Sequence, residues 1–206
     1  MDLGFQIIIL IISVVLHEVA HGVAADYLGD PTARLAGRLT LNPLSHLDPF
    51  GSFLLPLLTY SMGGFIIGWA KPVPYNPYNL RNGKWGPAYV AAAGPAVNLI
   101  LALIFSIILR LDFGFWTLSL VSAISTIVLL NILLAIFNLI PIPPLDGSKI
   151  LFAILPYRLR GIETFLLRYQ FLLILLVIFY LWKSLFPLVF FIFKLLLSYI
   201  ITFSNF

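Results

Sequence analysis

The stretch Leu16-His17-Glu18-Val19-Ala20-His21-Gly22 decides how this chain must fold, because it places three ionisable side chains inside an apolar run that extends from Leu3 to Tyr27. Residues four apart lie on one face of a helix, so the imidazoles of His17 and His21 can meet one metal ion. The carboxylate of Glu18 then lies beside the open position of that ion, where it can accept a proton from water. This H-E-x-x-H pattern is typical of a zinc hydrolase.

An alternative interpretation gives the motif no chemistry. His17 and His21 would then be helix-packing histidines, and Glu18 would pair with a nearby arginine. The apolar residues on both sides of the motif count against this interpretation, since burying three ionisable groups in a bilayer costs roughly several kcal/mol unless a metal or a partner compensates. The sequence therefore favours a metal site.

The composition indicates a polytopic membrane protein of one compact domain. Of its 206 residues, 61% are hydrophobic and 10% are charged, and the mean hydropathy is +1.06; about a quarter of the residues in a soluble domain are charged. The chain has no cysteine, so disulfides and thiolate ligands are excluded, and a metal must be bound by His, Asp or Glu. The net charge of +4 fits Lys and Arg in cytoplasmic loops, and we expect no nucleic-acid partner.

The apolar runs predict an all-α membrane protein with about five transmembrane helices. Three strong helices cover residues 3–26, 85–109 and 116–139, each about long enough to cross the roughly 30 Å of hydrocarbon in a bilayer. Two further runs, at about 169–182 and 186–201, carry no catalytic residue set, and their expected role is packing, gating or dimerisation. We therefore divide the chain into a catalytic membrane core, residues 1–155, and C-terminal membrane helices, residues 156–206.

Two connecting segments are less regular. The apolar run at about 50–70 is interrupted by glycines and by Pro56, which allows it either to span the membrane or to dip in and return. The alternation of apolar and polar residues over 34–41 predicts a short β-hairpin at the membrane surface. Such a hairpin could hold an unwound substrate segment by strand addition.

Asp146 is the strongest candidate for a third metal ligand. It directly follows a segment in which Pro141, Pro143 and Pro144 prevent a helix and leave extended backbone. An aspartate before a glycine more often caps a helix, but a cap can also be a ligand. His46, in a loop beside Asp48, fits a surface hydrogen-bonding residue better than a metal ligand.

Asn98 is a polar residue at membrane depth in the second strong helix. It needs a partner there, because an unsatisfied amide in hydrocarbon is costly. The sequence leaves two roles open for it: an interhelical hydrogen bond, or the orientation of a substrate peptide or a metal ligand.

A shared metal ion sets a condition on the topology. Asp146 follows the 116–139 helix, and the two histidines lie in the second half of the first helix, so these two helices must be parallel. One spanning helix must then lie between them, and 85–109 fills that place, which predicts that 50–70 re-enters. Most of the basic residues then fall on one side, which the positive-inside rule makes cytoplasmic, with the N-terminus outside and the site open to the cytoplasm.

Three motifs resemble those of the site-2 protease family of intramembrane zinc metalloproteases: His17–His21, the Ala-Gly-Pro-Ala-Val-Asn run at 93–98, and Asn138–Gly147. Residues 37–43 and 68–74 are similar to its compact prokaryotic branch, which lacks a PDZ module. The similarity covers about residues 5–155. It implies zinc as the cofactor, one ion per chain, with His17, His21 and Asp146 as ligands.

The resemblance also implies Glu18 as the catalytic carboxylate and Asn138 as a substrate-orienting residue. We therefore expect regulated intramembrane proteolysis in the cell membrane, with a transmembrane protein or peptide as substrate, contact with membrane lipid, and a possible homo-oligomer. Two alternatives are a membrane metal transporter and a metal-binding membrane protein without turnover. A transporter needs ligands spread along a path across the bilayer, and the sequence offers few.

Overall fold

The computed structural model of the protein describes residues 3–54, 70–111, 117–177, 180 and 182–203, and regular structure in these residues is entirely helical. Short 3-10 turns lie at Pro43–His46, Pro77–Asn79, Gly83–Trp85 and Tyr157–Leu159, and a π-helical turn at Pro49–Leu54. In chain order the α-helices are α1 (Leu3–Tyr27), α2 (Thr32–Leu35), α3 (Gly86–Arg110), α4 (Leu118–Asn138), α5 (Asp146–Ile154), α6 (Arg160–Arg168), α7 (Gln170–Leu176) and α8 (Trp182–Phe203).

Three helices of the described chain are long and apolar enough to span a membrane: Gly4–Tyr27, Gly83–Arg110 and Leu118–Asn138. They confirm the three strong helices predicted from the sequence. The predicted total of about five is not confirmed, since the described C-terminal part adds only a shorter apolar stretch, Ser184–Leu197. The predicted re-entrant segment falls mainly on residues 55–69, which lie outside the described residues.

Contacts between the long helices fix their directions. Asn98 of α3 donates to the carbonyl of Ser13, whereas Val90, earlier in α3, packs against Ala25, later in α1. The helices α1 and α3 are therefore antiparallel. Helix α4 is antiparallel to α3 in turn, because its residues 128 and 124 pack against residues 102 and 109 of α3. Consequently α1 and α4 are parallel, as a metal shared between them requires.

Helix α8 packs against α3 and α4 together. Val189 joins the buried cluster of Ala102, Val128 and Ile132, and Leu197 lies in a second cluster further along the same helices. The guanidinium of Arg110, at the end of α3, donates to the carbonyls of residues 195 and 196. Helix α8 thus packs on the helices of the predicted catalytic core. The division of the chain at residue 155 into a catalytic core and C-terminal helices stays a prediction.

The predicted β-hairpin at 34–41 is absent from these residues, all of which the structure describes. Residues 32–35 instead form the helical turn α2, which Gly37 ends with a φ of +64°. The N–H of Arg38 donates back to the carbonyl of Ala33, and residues 38–42 follow as irregular backbone. The chain beside them, at Lys71 to Pro74, contains two prolines without N–H groups, so it cannot complete a strand ladder.

The end of α1 is fixed by Asp30. Gly29 ends the helix with a φ of +107°, and the fully buried carboxylate of Asp30 accepts hydrogen bonds from Thr32, from the Asn79 amide and from the Asn76 backbone N–H. Burial alone would raise the pKa of this carboxyl, but the hydrogen bonds outweigh burial and hold the pKa of Asp30 below its ordinary value. The ionised carboxylate therefore ties the end of α1 to the chain that leads into α3.

Replacing Asp30 with Asn should destabilise the fold at neutral pH by about 1–3 kcal/mol, because one amide oxygen cannot accept all the bonds that two carboxylate oxygens accept. The pKa of Asp30 is lower in the folded protein than in the unfolded protein, where it is about 3.9, so its carboxylate stabilises the fold at pH values above about 3.9. This stabilisation is lost as the pH falls through the pKa of Asp30 in the folded protein. The difference between wild type and Asp30→Asn should therefore narrow in acid. Unfolding of the metal-free, detergent-solubilised proteins between pH 7 and pH 3 measures it.

The matched control is Asp26→Asn, at the same end of α1, where the carboxylate forms a partly exposed ion pair with Arg34. That pair should contribute at most about 1 kcal/mol. A difference between wild type and Asp30→Asn that stays constant down to pH 3 would contradict the assigned role of the ionised carboxylate.

Candidate metal centre

The two motif histidines lie on one face of α1, as the four-residue spacing predicts. Both are buried, and their rings meet at right angles with centroids 4.6 Å apart. The two Nε2 atoms are 3.0 Å apart. Both imidazoles therefore direct the same nitrogen to one point.

Helix α3 holds the other nitrogen of each ring. The Nδ1 of His17 lies 2.6 Å from the side-chain oxygen of Asn98, and the Nδ1 of His21 lies 2.7 Å from the carbonyl oxygen of Val90. A carbonyl oxygen can only accept, so each Nδ1 carries the proton and donates it. Each Nε2 is left with a free electron pair, which is the form of histidine that binds metal ions.

The orientation of the Asn98 amide follows from a buried polar chain. The amide nitrogen of Asn131 donates to the backbone carbonyl of Ile127 and to the hydroxyl of Ser13, so its oxygen faces Asn98. The amide nitrogen of Asn98 donates to that oxygen at 2.8 Å, which directs its own oxygen to His17. A backbone carbonyl of α4 thus determines, through two amides, which nitrogen of His17 carries the proton.

Asp146, the first residue of α5, completes the site. Its Oδ2 lies 3.1 Å from the Nε2 atoms of both His17 and His21. Helix α5 has no side-chain cap, so the cap interpretation of Asp146 finds no support in the structure. Among the described residues, His17, His21 and Asp146 are the one group of three or more potential metal-binding side chains that converge.

This donor set fits a zinc ion. In their neutral form the two imidazoles direct electron pairs at Nε2 to the same buried point as a carboxylate oxygen, an arrangement that a bound metal cation would stabilise. Ligands at about 2.0–2.1 Å from a tetrahedral zinc ion lie roughly 3.3 Å apart, close to the 3.0–3.1 Å separations found here. Three protein ligands also leave a fourth position open, as in catalytic zinc sites.

Two glycines allow the elements to come this close. A Cβ atom on Gly94 of α3 would lie 2.6 Å from atoms of both imidazoles. A Cβ atom on Gly147 would meet the backbone carbonyl oxygens of Leu139 and Ile140. The first glycine lets α3 lie directly against the two rings, and the second lets α5 begin close to the end of α4, which brings Asp146 to the site.

The remaining candidate residues have other surroundings. Glu18 is half-buried, and its Oε2 accepts the backbone N–H of Val73 at 3.0 Å. The amide of Asn138 donates to the carbonyl of Leu134 in its own helix. His46 is buried, donates from Nε2 to the carbonyl of Thr40, and does not belong to the metal-binding group.

Sequence reasoning missed several contributors to the site. Asn131 is a polar residue in an apolar helix, and nothing in the sequence connects it to the histidines. Gly94 lies in the run at 93–98, but the sequence does not show that it faces the two imidazoles. The roles of the Val90 carbonyl and the Val73 N–H belong to the backbone, and no residue type identifies them. Only the tertiary structure reveals these contacts.

Comparison with known proteins identifies the family of the chain. The model of Peptidase family M50 matches residues 5–124 and 112–179. The chain therefore belongs to this family, which is the site-2 protease family of membrane zinc metalloproteases. The family confirms the resemblance found in the sequence motifs.

Curated relatives support the assignment. A Bacillus subtilis protein named "Putative zinc metalloprotease YwhC" is 39% identical over 178 residues, which cover 83% of this chain and 78% of that relative. A Mycolicibacterium smegmatis protein named "Putative zinc metalloprotease Rip2" is 35% identical over 140 residues, which cover 66% of this chain and 52% of that relative. The alignment thus spans about half the length of the mycobacterial relative. No solved structure matches the chain.

Replacing Gly94 with Ala should strongly weaken zinc binding, because the new methyl group would occupy space that the two imidazoles fill. Zinc content after purification, and zinc retention against a chelator, measure the effect. The control is Gly161→Ala in α6, where a Cβ atom meets nothing within 4 Å. Equal zinc retention in both variants would show that α3 does not confine the imidazoles.

Replacing Asn98 with Val should weaken zinc affinity by about 10- to 100-fold, the range found when a hydrogen-bond partner of a metal-binding histidine is removed. Valine keeps most of the side-chain volume and removes the acceptor for His17 Nδ1. Zinc titration of the metal-free protein against a competing chelator measures the change. Unchanged affinity would show that Asn98 contributes packing alone.

Proposed function

We propose that this protein hydrolyses peptide bonds of membrane-embedded substrates, with one zinc ion per chain held by His17, His21 and Asp146. The observation that carries the proposal is the convergence of His17 and His21 of α1 with Asp146 at the start of α5, all three buried. The carboxylate of Glu18 directly follows His17 in the sequence. Two imidazoles and a carboxylate that converge on one point form the donor set of a catalytic zinc site, which packing alone does not require.

The zinc ion and the residues of the chain would contribute different parts of the catalysis. Zinc, when bound, supplies a Lewis acid that polarises a peptide carbonyl and lowers the pKa of water to about 7. Glu18 then acts as the general base that removes a proton from the attacking water and delivers it to the leaving nitrogen. Asn98 and the Val90 carbonyl keep the two imidazoles in the form that binds metal, and the buried surroundings limit access of bulk water.

The arrangement of charge supports a cytoplasmic opening. The end of α1, the start of α3 and the end of α4 lie at one end of the three-helix group, and the site is in the half of the helices nearest that end. We infer that this end faces the cytoplasm, because most of the basic residues are in segments that connect there, and that the N-terminus is outside. These basic residues are Arg34, Arg38, Lys71, Arg81, Lys84, Lys149, Arg158 and Arg160.

A transmembrane protein or peptide is the proposed substrate, and it must unwind locally, since a helix hides its scissile bond in backbone hydrogen bonds. Asn138 is the proposed substrate-orienting residue. It is half-buried at the end of α4, and its side-chain oxygen can still accept a bond while its nitrogen donates to Leu134. Asn98 is a poor candidate for that role, because it is fully buried and bonded to His17, Asn131 and Ser13.

Replacing Glu18 with Gln should leave zinc binding intact and abolish cleavage, because the amide keeps the shape of the side chain but cannot accept a proton. The measurement combines zinc content with cleavage of single-span test proteins reconstituted together with the enzyme in liposomes. Membrane-protein fragments compared between cells with wild type and cells with Glu18→Gln would identify natural substrates.

The same variant separates the alternatives. A metal transporter or a non-catalytic metal-binding protein would show no difference in membrane-protein fragments between wild type and Glu18→Gln. Cleavage by Glu18→Gln at the wild-type rate would overturn the enzymatic role assigned to this carboxylate.

A further inference from the structure

A connecting segment crosses the face of α1 that carries the motif. We call residues 71–76, Lys71-Pro72-Val73-Pro74-Tyr75-Asn76, the strap. Val73 at its centre is buried, and its backbone N–H donates to Oε2 of Glu18 at 3.0 Å. This bond joins the proposed general base to a part of the chain 55 residues away.

The sequence of the strap makes this N–H a prepared donor. Pro72 and Pro74 have no N–H groups, so Val73 carries the single backbone donor of these three residues. A proline also favours extended backbone at the residue before it, which restricts Val73. The two prolines therefore limit the conformations that the backbone around this donor can adopt.

Both sides of the strap are anchored. The N–H of Lys71 donates to the His46 carbonyl at 2.8 Å, and the Arg38 guanidinium donates to the Lys71 carbonyl at 2.9 Å. At the other side, the N–H of Asn76 donates to the buried carboxylate of Asp30. These bonds hold Val73 at a fixed height over α1.

Gly22 allows the close approach. It lies four residues after Glu18, on the same face of α1. A Cβ atom there would lie 2.7 Å from a methyl carbon of Val73 and 2.5 Å from a methyl carbon of Leu39. A larger residue at position 22 would lift the strap and lengthen the bond to Glu18.

From these contacts we infer that the backbone N–H of Val73 is a positioning group for the proposed reaction: it holds Oε2 of Glu18 and directs Oε1 to the attacking water. The inference rests on the proposed function. A glutamate side chain rotates about three bonds, and fixing one of its oxygens limits the positions of the other. The strap acts through Glu18, and the zinc ligands do not depend on it.

The test removes the N–H and keeps the rest of the chain. In one variant the α-hydroxy acid analogue of valine, incorporated at position 73, replaces the N–H with an ester oxygen. In a second, Val73→Pro removes the same hydrogen by ordinary mutagenesis. Val73→Ala is the matched control, because it trims the side chain and keeps the N–H.

The readouts are zinc content, kcat and KM, measured with a single-span test protein in liposomes that wild type cleaves and Glu18→Gln does not. We expect the ester variant to keep its zinc and its KM and to lose about 10- to 100-fold in kcat, as expected for one hydrogen bond to a charged group. Val73→Ala should keep kcat much closer to wild type. Val73→Pro should lose at least as much kcat as the ester variant, because its ring carbon also occupies the space next to Oε2 of Glu18.

Two results for the ester variant and one for Val73→Ala would overturn the inference. An unchanged kcat in the ester variant means that the N–H does not position Glu18, and a raised KM with unchanged kcat means that the strap binds substrate instead. An equal loss of kcat in Val73→Ala assigns the effect to packing. If Val73→Pro loses its zinc, its kcat does not report on the N–H, and the kcat of the ester variant decides whether the N–H positions Glu18. Failure of wild type to cleave any test protein would be a failure of the proposed function.

Discussion

The convergence of three potential metal ligands from distant parts of the chain is the constraint on which the rest of the structure depends. The Nε2 atoms of His17 and His21 and one oxygen of Asp146 converge to within 3.0–3.1 Å in a buried place. In the neutral form with protonated Nδ1 atoms, both imidazoles direct their electron pairs at Nε2 towards this carboxylate oxygen. A divalent cation bound at this point would add its binding free energy to the stability of the fold.

The surrounding helices must be rigid to keep such donors together. This rigidity comes from close packing at Gly94 and Gly147 and from a buried polar chain that joins Ser13, Asn131, Asn98 and His17 across three helices. Without water to compete for them, these polar groups must satisfy one another, which specifies one register of the three helices.

Residues outside the long helices position Glu18 and the end of α1. The strap contacts Glu18, Asp30 joins the end of α1 to the strap and to the chain before α3, and Arg38 and His46 hold the first residues of the strap. The described parts of the chain between α1 and α3 thus connect the two helices and also contact the residues next to the candidate site. Prolines suit this role, because they remove competing donors and limit the conformations available to the backbone.

The sequence by itself determined the three long helices, the parallel relation of α1 and α4, the histidine pair and the distant Asp146. Helical periodicity, apolar length and the chemistry of the motif are local properties, and parallel helices follow from the demand that all three donors reach one ion. Only the tertiary structure decided that residues 32–35 turn as a helix and not as a hairpin, that Asn98 supports His17 from within the bundle, and that Val73 reaches Glu18. These features arise from contacts between residues far apart in the chain, many of them through backbone atoms, which all residue types share and no sequence motif can mark.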